Sequence, residues 1–237
     1  MIILASESSA LLGSVALFED GKLLNYTQAL RQGSHSDVIN LFIAKILKES
    51  HKSLKDVDLF VSGIGPGSFT GIRISLNTIK TLAYCHNKMV LGINSLENLA
   101  WLNLQKNPQN QDRPLIAMIN AYKNMVYIGT YQKKKDKLIC LKEPEVIRVQ
   151  NFSDYLSEPS YIVGDGVAAY GKYFPESVKK FQLRPVYALD EPNAESLGEL
   201  AFNNVDKQKH WSELLPLYLR ASEAEENLKG IRYQPLS

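Results

Sequence analysis

The chain has 237 residues, enough to bury a sizeable core in one large or two small domains. A formal net charge of +2 gives no global electrostatic case for nucleic-acid binding, and 45% hydrophobic with 22% charged residues is ordinary for a soluble globular protein. Cys85 and Cys140 lie far apart and outside any metal spacing, so they read as free thiols in a reducing compartment; with no run of the ~18 apolar residues that a membrane span needs and no signal-peptide pattern, a cytoplasmic location is expected.

Ile2 to Ala5 is a short apolar run that predicts a central strand, ending in the polar Ser6-Glu7-Ser8-Ser9. Gly13 to Phe18 alternates and predicts a second strand. Asp20-Gly21 makes a hairpin turn, and Lys22 to Leu30 returns as a third strand. His35 or Ser36 opens a helix whose Ile39, Phe42, Ile43, Ile46 and Leu47 share one apolar face. Val38 and Leu41 widen that face beyond what one sheet contact needs. Val57 to Val61 predicts a strand, Ile72 to Tyr84 a helix and Met89 to Ile93 a strand. Ser95 to Leu104 predicts a third helix, with Ser95 as its cap. A meander followed by alternating helices and strands points to a mixed sheet covered on both faces.

Asn107 to Pro114 is polar and aperiodic, and a domain boundary is expected there. The pattern then begins again. Leu115 to Ala121, Val126 to Tyr131 and Leu138 to Val149 read as strands. Phe152 to Leu156 reads as a short helix, and Tyr161 to Val163 as a strand ending in Gly164-Asp165-Gly166. Val167 to Phe174 and Glu195 to Asn203 read as helical. The expected division is residues 1–106, residues 107–214, and a segment 215–237 that returns to the first domain, with a mobile tail from Glu223.

The most shaped stretch joins the fourth strand to the second helix: Ser62-Gly63-Ile64-Gly65-Pro66-Gly67-Ser68-Phe69-Thr70-Gly71-Ile72-Arg73. Its glycines and proline make a tight turn. Ser68 or Thr70 can cap the helix, whose free N–H groups favour an anion. A Rossmann loop needs a glycine where Thr70 stands, and a Walker A loop needs a lysine where Ile72 stands. Spacing alone leaves two readings: a phosphate site, or a turn that lets the helix pack close to the sheet.

The string Gly65 to Arg73 closely resembles the glycine-rich signature of the bacterial TsaB family, also called YeaZ, and Leu215-Pro216-Leu217-Tyr218-Leu219-Arg220 resembles its Pro-x-Tyr-Leu-Arg ending. The resemblance implies an α/β fold of two ribonuclease-H-like, actin-like (ASKHA) domains with mixed sheets, the second domain reduced. It implies a non-catalytic partner of the TsaD threonylcarbamoyltransferase, which forms threonylcarbamoyladenosine on tRNA. A TsaE-like ATPase joins that assembly, tRNA is met through TsaD, no membrane is involved, and the protein alone forms a homodimer.

Actin-like proteins carry an Asp-Thr/Ser phosphate loop where Glu7, Ser8 and Ser9 stand here. The longer Glu7 carboxylate displaces any Mg²⁺, which tolerates little misplacement; a polar strand end is the plainer reading. Asn120 and Tyr122 replace the acid and arginine of a family stretch Asp-Ala-Arg-x-x-x-Val-Tyr, and a neutral amide is no general base. Asp165 is the remaining cleft carboxylate, or a helix-capping turn residue. Together they read as a vestigial nucleotide cleft, with no catalytic residue, no metal site, and ATP or ADP with Mg²⁺ at most weakly held. His35, His51, His86 and His210 have Ile39, Lys55, Val90 and Leu214 four residues on, so the paired-histidine metal site of TsaD cannot be built from them. The rival reading is an autonomous actin-like small-molecule kinase or ATPase, which needs a cleft base; a peptidase lacks both triad order and zinc motif. Lys133 to Lys135 with Lys137 make a solvated hairpin tip or an RNA-phosphate contact.

Helical steps of about 100° put Ile72, Leu76, Ile79 and Ala83 on the core face of the second helix. Gly71, Ile74, Ser75, Thr78 and Leu82 form a flank of small and apolar residues that another helix can approach closely. Either the first helix of the same domain fills it, or it is a subunit interface shared with Val38 and Leu41. The resemblance implies the second, because TsaB proteins pair through these helices with themselves and with TsaD.

Overall fold

The computed structural model describes residues 1–30, 35–110, 112–135, 137–156 and 158–221, with 225 and 228. The chain forms two compact units: Met1–Asn98 with Glu191–Leu217, and Leu99–Asp190 with Tyr218–Ser237.

The first unit is built on a five-stranded sheet of order β3-β2-β1-β4-β5. Its strands are β1 (Ile2–Glu7), β2 (Leu12–Glu19), β3 (Lys22–Leu30), β4 (Leu59–Gly63) and β5 (Met89–Ile93). The three-strand meander is antiparallel; β4 pairs parallel with β1, and β5 parallel with β4. Every residue of β1 is buried, because both faces of the sheet are covered. On one face Ile2, Leu4, Val15, Leu17 and Phe60 pack with Ile39, Ile43 and Ile46 of α1 (His35–Glu49) and Leu76 and Ile79 of α2 (Phe69–His86). Alternate strand residues point the other way. There Phe18 meets Phe202 of α6 (Ala194–Phe202) edge-on at 5.9 Å.

The second unit repeats the plan in order β10-β9-β6-β7-β8, with β6 (Leu115–Asn120), β7 (Met125–Lys134) and β8 (Lys137–Arg148) as the meander. β9 (Ser160–Val163) runs parallel to β6, and β10 (Gln182–Leu183) parallel to β9. So β6 holds the central place that β1 holds in the first unit. The helical cover is thinner: a 3-10 stretch Val149–Asp154 stands where α1 stands in the first unit, followed by α4 (Asp165–Tyr170) and α5 (Glu176–Lys179). Its core gathers Ile116, Met118, Val126, Ile128, Phe152 and Phe174, with the two phenylalanine rings 4.5 Å apart. These two sheets are the ribonuclease-H-like, actin-like plan, the second reduced.

Packing and composition divide the chain differently. The polar stretch from Asn107 is not the seam, because α3 (Ser95–Lys106) runs unbroken through the unit boundary at Asn98. Residues 191–214, expected with the second domain, belong to the first, since α6 covers its sheet. Of the C-terminal segment, Leu215 to Leu217 lie with the first unit and Tyr218 onward with the second. The tail from Glu223 falls outside the described residues except at 225 and 228. Smaller differences are local. The helix expected over Phe152 to Leu156 is the 3-10 stretch, β4 starts two residues late, and α4 ends at Tyr170 in a 3-10 turn. The short α5 and β10 carry no periodic signal.

Gly198 of α6 tests this packing. A methyl group there would stand 2.2 Å from the Phe18 ring, and Phe18 is fully buried. Gly198→Ala gains up to ~1 kcal/mol of helix propensity, while overpacking costs about 1–3 kcal/mol. A net fall in melting temperature of a few degrees is expected in a thermal scan.

Candidate functional site

The glycine stretch leads from β4 into α2. Gly65 has φ 94° and Gly67 φ 155°, backbone that a side chain rarely adopts. The Ser68 Oγ accepts the Gly71 N–H at 3.2 Å and caps α2. The buried Gly65 carbonyl accepts the Ser95 N–H at 2.8 Å, fixing the start of α3, and the Ile64 carbonyl accepts the Leu217 N–H at 2.8 Å. Pro66 is buried and Thr70 exposed, while the exposed Arg73 lays its guanidinium 4.2 Å from the Phe69 ring centre.

The loop closes over the end of β1. The Ser8 hydroxyl donates to the Gly71 carbonyl at 2.8 Å, and the Ser68 N–H donates to the Ser9 carbonyl at 2.6 Å. A Cβ at Gly71 would stand 1.9 Å from the Ser8 carbonyl oxygen, and one at Gly67 2.3 Å from that of Ser9. These glycines therefore serve a backbone-to-backbone approach. Ser8 and Ser9 are buried beneath it.

Glu7 is fully buried too. Its Oε1 accepts the Ser9 N–H at 2.9 Å, and its Oε2 accepts from the Ser95 hydroxyl and the Asn98 carboxamide, each at 3.2 Å. Burial pushes this carboxyl above its ordinary value; the hydrogen bonds from Ser9, Asn98 and Ser95 pull the other way.

The expected partner flank of α2 divides. Gly71 lies against β1's end, and the buried Ser75 donates its hydroxyl to the Ser6 carbonyl at 2.7 Å. Their small size serves the packing of α2 on its own sheet, so neither faces a partner. Ile74 and Leu82 pack at the edge of the first unit's core, beside α1. Thr78 and Val38 are half-buried, and Leu41 is 67% exposed.

In the second unit the Asp165 Oδ1 accepts the Asn120 N–H at 2.8 Å, and the Asn120 Oδ1 accepts the Tyr122 N–H at 2.8 Å. Both side chains tie off the turn from β6 to β7. There Tyr122, Lys123 and Asn124 have φ of 57°, 50° and 65°, successive left-handed residues without a glycine. Arg220 donates to the Ala121 carbonyl, and the Tyr170 hydroxyl accepts the Asn124 N–H at 3.3 Å. The arginine of the C-terminal motif, expected to return to the first domain, thus secures this turn in the second unit. Burial, and behind it the Asp190 charge, raises Asp165 above the usual carboxylate range.

Sequence reasoning missed Gly63, Ser95 and Asn98 as members of the site. Ser95 reads as the cap of α3, but the Asn94 Oδ1 takes that role from the Leu96 N–H at 2.8 Å. The Ser95 hydroxyl is left for Glu7. Asn98 and Asn103 are fully buried, and asparagine is disfavoured inside helices, so two of them within an apolar-periodic segment carried a signal. Lys133 lies 5.3 Å from the Trp101 ring centre and 3.2 Å from the Gln105 Oε1, a packing role. Among the described residues no three His, Cys, Asp or Glu are grouped to hold a metal ion, and no helix is long and apolar enough to cross a membrane.

The family model of TsaD, tRNA N6-adenosine threonylcarbamoyltransferase, matches residues 29–228. The chain belongs to this family. Within it, the full-length likeness is to proteins named tRNA threonylcarbamoyladenosine biosynthesis protein TsaB. That of Haemophilus influenzae is 28% identical over 97% of this chain and 98% of its own length. That of Bacillus subtilis is 28% identical over 95% and 96%. The structure of YeaZ from Pseudomonas aeruginosa superposes with a TM-score of 0.79 at 26% identity, covering 92% of this chain and 99% of that one.

Asp165 gives a pH test. Its folded pKa lies above the ordinary 3.8, so the stability it contributes is fully present below 3.8 and is lost as pH rises through the folded pKa. Asp165→Asn keeps an acceptor for the Asn120 N–H and does not titrate. The wild type should lose stability relative to this variant as pH climbs through that window, measured by denaturant melts at successive pH values. A difference independent of pH would contradict the assignment.

Proposed function

We propose that this protein is the non-catalytic partner of a TsaD-like threonylcarbamoyltransferase in the formation of threonylcarbamoyladenosine on tRNA. The carrying observation is the closed end of β1. Ser8 and Ser9 are buried under the glycine loop, and the Ser9 N–H is taken by Glu7. A phosphoryl-transfer site has to offer its amides to nucleotide phosphates, and here those of Ser9, Ser68 and Gly71 are bonded internally. Asn120 and Asp165 likewise hold a turn. ATP or ADP with Mg²⁺ binds weakly or not at all, and the two cleft candidates for a kinase base, Asn120 and Asp165, are engaged in that turn. The names of the TsaB relatives point to the same pathway.

On this reading the chemistry belongs to TsaD, and the outer face of the α1–α2 pair is the docking surface. Leu41, Val38 and Thr78 supply it, edged by Ile74 and Leu82. A TsaD-like protein and a second copy of this chain use the same face. A TsaE-like ATPase joins the assembly, in the cytoplasm, and tRNA is reached through TsaD.

The first test is reconstitution with the threonylcarbamoyl-adenylate donor and tRNA. The isolated chain should modify no tRNA, and modification should appear when TsaD is present with it. Modification by this chain alone would end the partner reading.

The second test is Thr78→Arg. A guanidinium pressed unpaired against an apolar partner surface costs several kcal/mol, so association should weaken by roughly a hundredfold or more. Melting should stay within a few degrees, because Ile72, Leu76 and Ile79 still hold α2 on the sheet. Sedimentation for the homodimer and titration with TsaD read the loss. If α1 already seals Thr78 within the molecule, the variant will instead melt early and the docking assignment fails.

A further inference from the structure

We propose that the buried space at the end of β1 is a carboxylate-binding pocket that the protein fills with its own Glu7. Its donors come from separate segments: the Ser9 N–H of the turn, and the Ser95 hydroxyl and Asn98 carboxamide at the start of α3. The Asn98 amide is aligned independently of Glu7. Its Nδ2 also donates to the Asn193 carbonyl at 3.0 Å, and its Oδ1 accepts from the Ser196 hydroxyl at the start of α6. The floor is Gly63, where a Cβ would stand 2.2 Å from the Glu7 Oε2. Its φ lies outside the left-handed region, so glycine is needed there for room alone.

Donors converging in a buried space are costly unless an acceptor fills it, and a buried carboxyl is costly unless donors meet it. Each resolves the other. The pocket spreads its donors over both carboxylate oxygens above a bare backbone floor, which suits a flat anion better than a tetrahedral one. Glu7→Ala removes the Cγ methylene and the carboxyl, a fragment of the size and charge of acetate. The emptied pocket should therefore bind free acetate.

The test is thermal unfolding of the full chain, refolded in acetate, phosphate or chloride at equal ionic strength. Glu7→Ala should show a saturable rise of roughly 4 °C in acetate at concentrations well above its Kd, and the wild type none. No rise, an equal rise in the wild type, or a larger rise in phosphate would overturn the proposal. If Glu7→Ala does not fold in chloride, the folded fraction recovered in acetate is the readout, and no recovery overturns it. Gly63→Ala gives a second arm: it should cost much more stability in the wild type than in Glu7→Asp, whose shorter side chain withdraws from the floor. Equal costs in the two backgrounds would count against the pocket. TsaD association is no part of the readout, so failure here leaves the partner role untouched.

Discussion

The first unit depends on one close approach: the backbone of Gly67 and Gly71 lies directly on the carbonyls of Ser9 and Ser8. No residue with a side chain fits at 1.9 Å from a carbonyl oxygen. Once this contact forms, the start of α2 is fixed against the end of β1, and Ser75 completes the seam from one turn further along α2. The same loop then fixes two other segments. Gly65 receives the first amide of α3, and Ile64 receives Leu217. A stretch that looks like a ligand loop is thus the joint at which β1, α2, α3 and the returning chain meet.

This use of the loop has a chemical consequence. Backbone N–H groups at a strand end and a helix start are the usual means of holding phosphate. Here the Gly71 N–H is given to Ser68 and the Ser9 N–H to Glu7. Both amides are satisfied internally, so neither of these two is offered to an external anion. Outside the joint, α1 carries Leu41 67% exposed, on the face proposed above for docking.

Much of this was legible in the sequence, for physical reasons that differ by element. β1 is buried on both faces, so its first four residues, Ile2 to Ala5, read as an apolar run, and the repeated meander followed by parallel strands shows in the order of runs. The glycine string is legible because only glycine tolerates its backbone and its contacts. The partner flank was half legible. A helical wheel gives the direction in which Gly71 and Ser75 point but not what lies there, and small residues suit a neighbouring strand as well as a neighbouring subunit. The placement of residues 191–214 was hidden because chain order does not reveal packing; α6 is fixed by the approach of Gly198 to Phe18, which is distant in sequence. The left-handed run at Tyr122, Lys123 and Asn124 was hidden because no glycine marks it.

That run leads back to the duplication. Left-handed backbone costs a non-glycine residue about 1 kcal/mol or more, so such a turn persists only where the surroundings over-determine it. Asn120, Asp165, Tyr170 and Arg220 do so here. Asn120 ends β6 as Glu7 ends β1, and the two strands hold the same place in their sheets. In each, the last side chain of the central strand turns back and accepts the N–H two residues on: Ser9 for Glu7, Tyr122 for Asn120. The acids and amides differ, and so do the loops that follow, yet both halves close the corresponding turn with a side chain of their own. What the duplication repeats is therefore this local device as well as the order of strands.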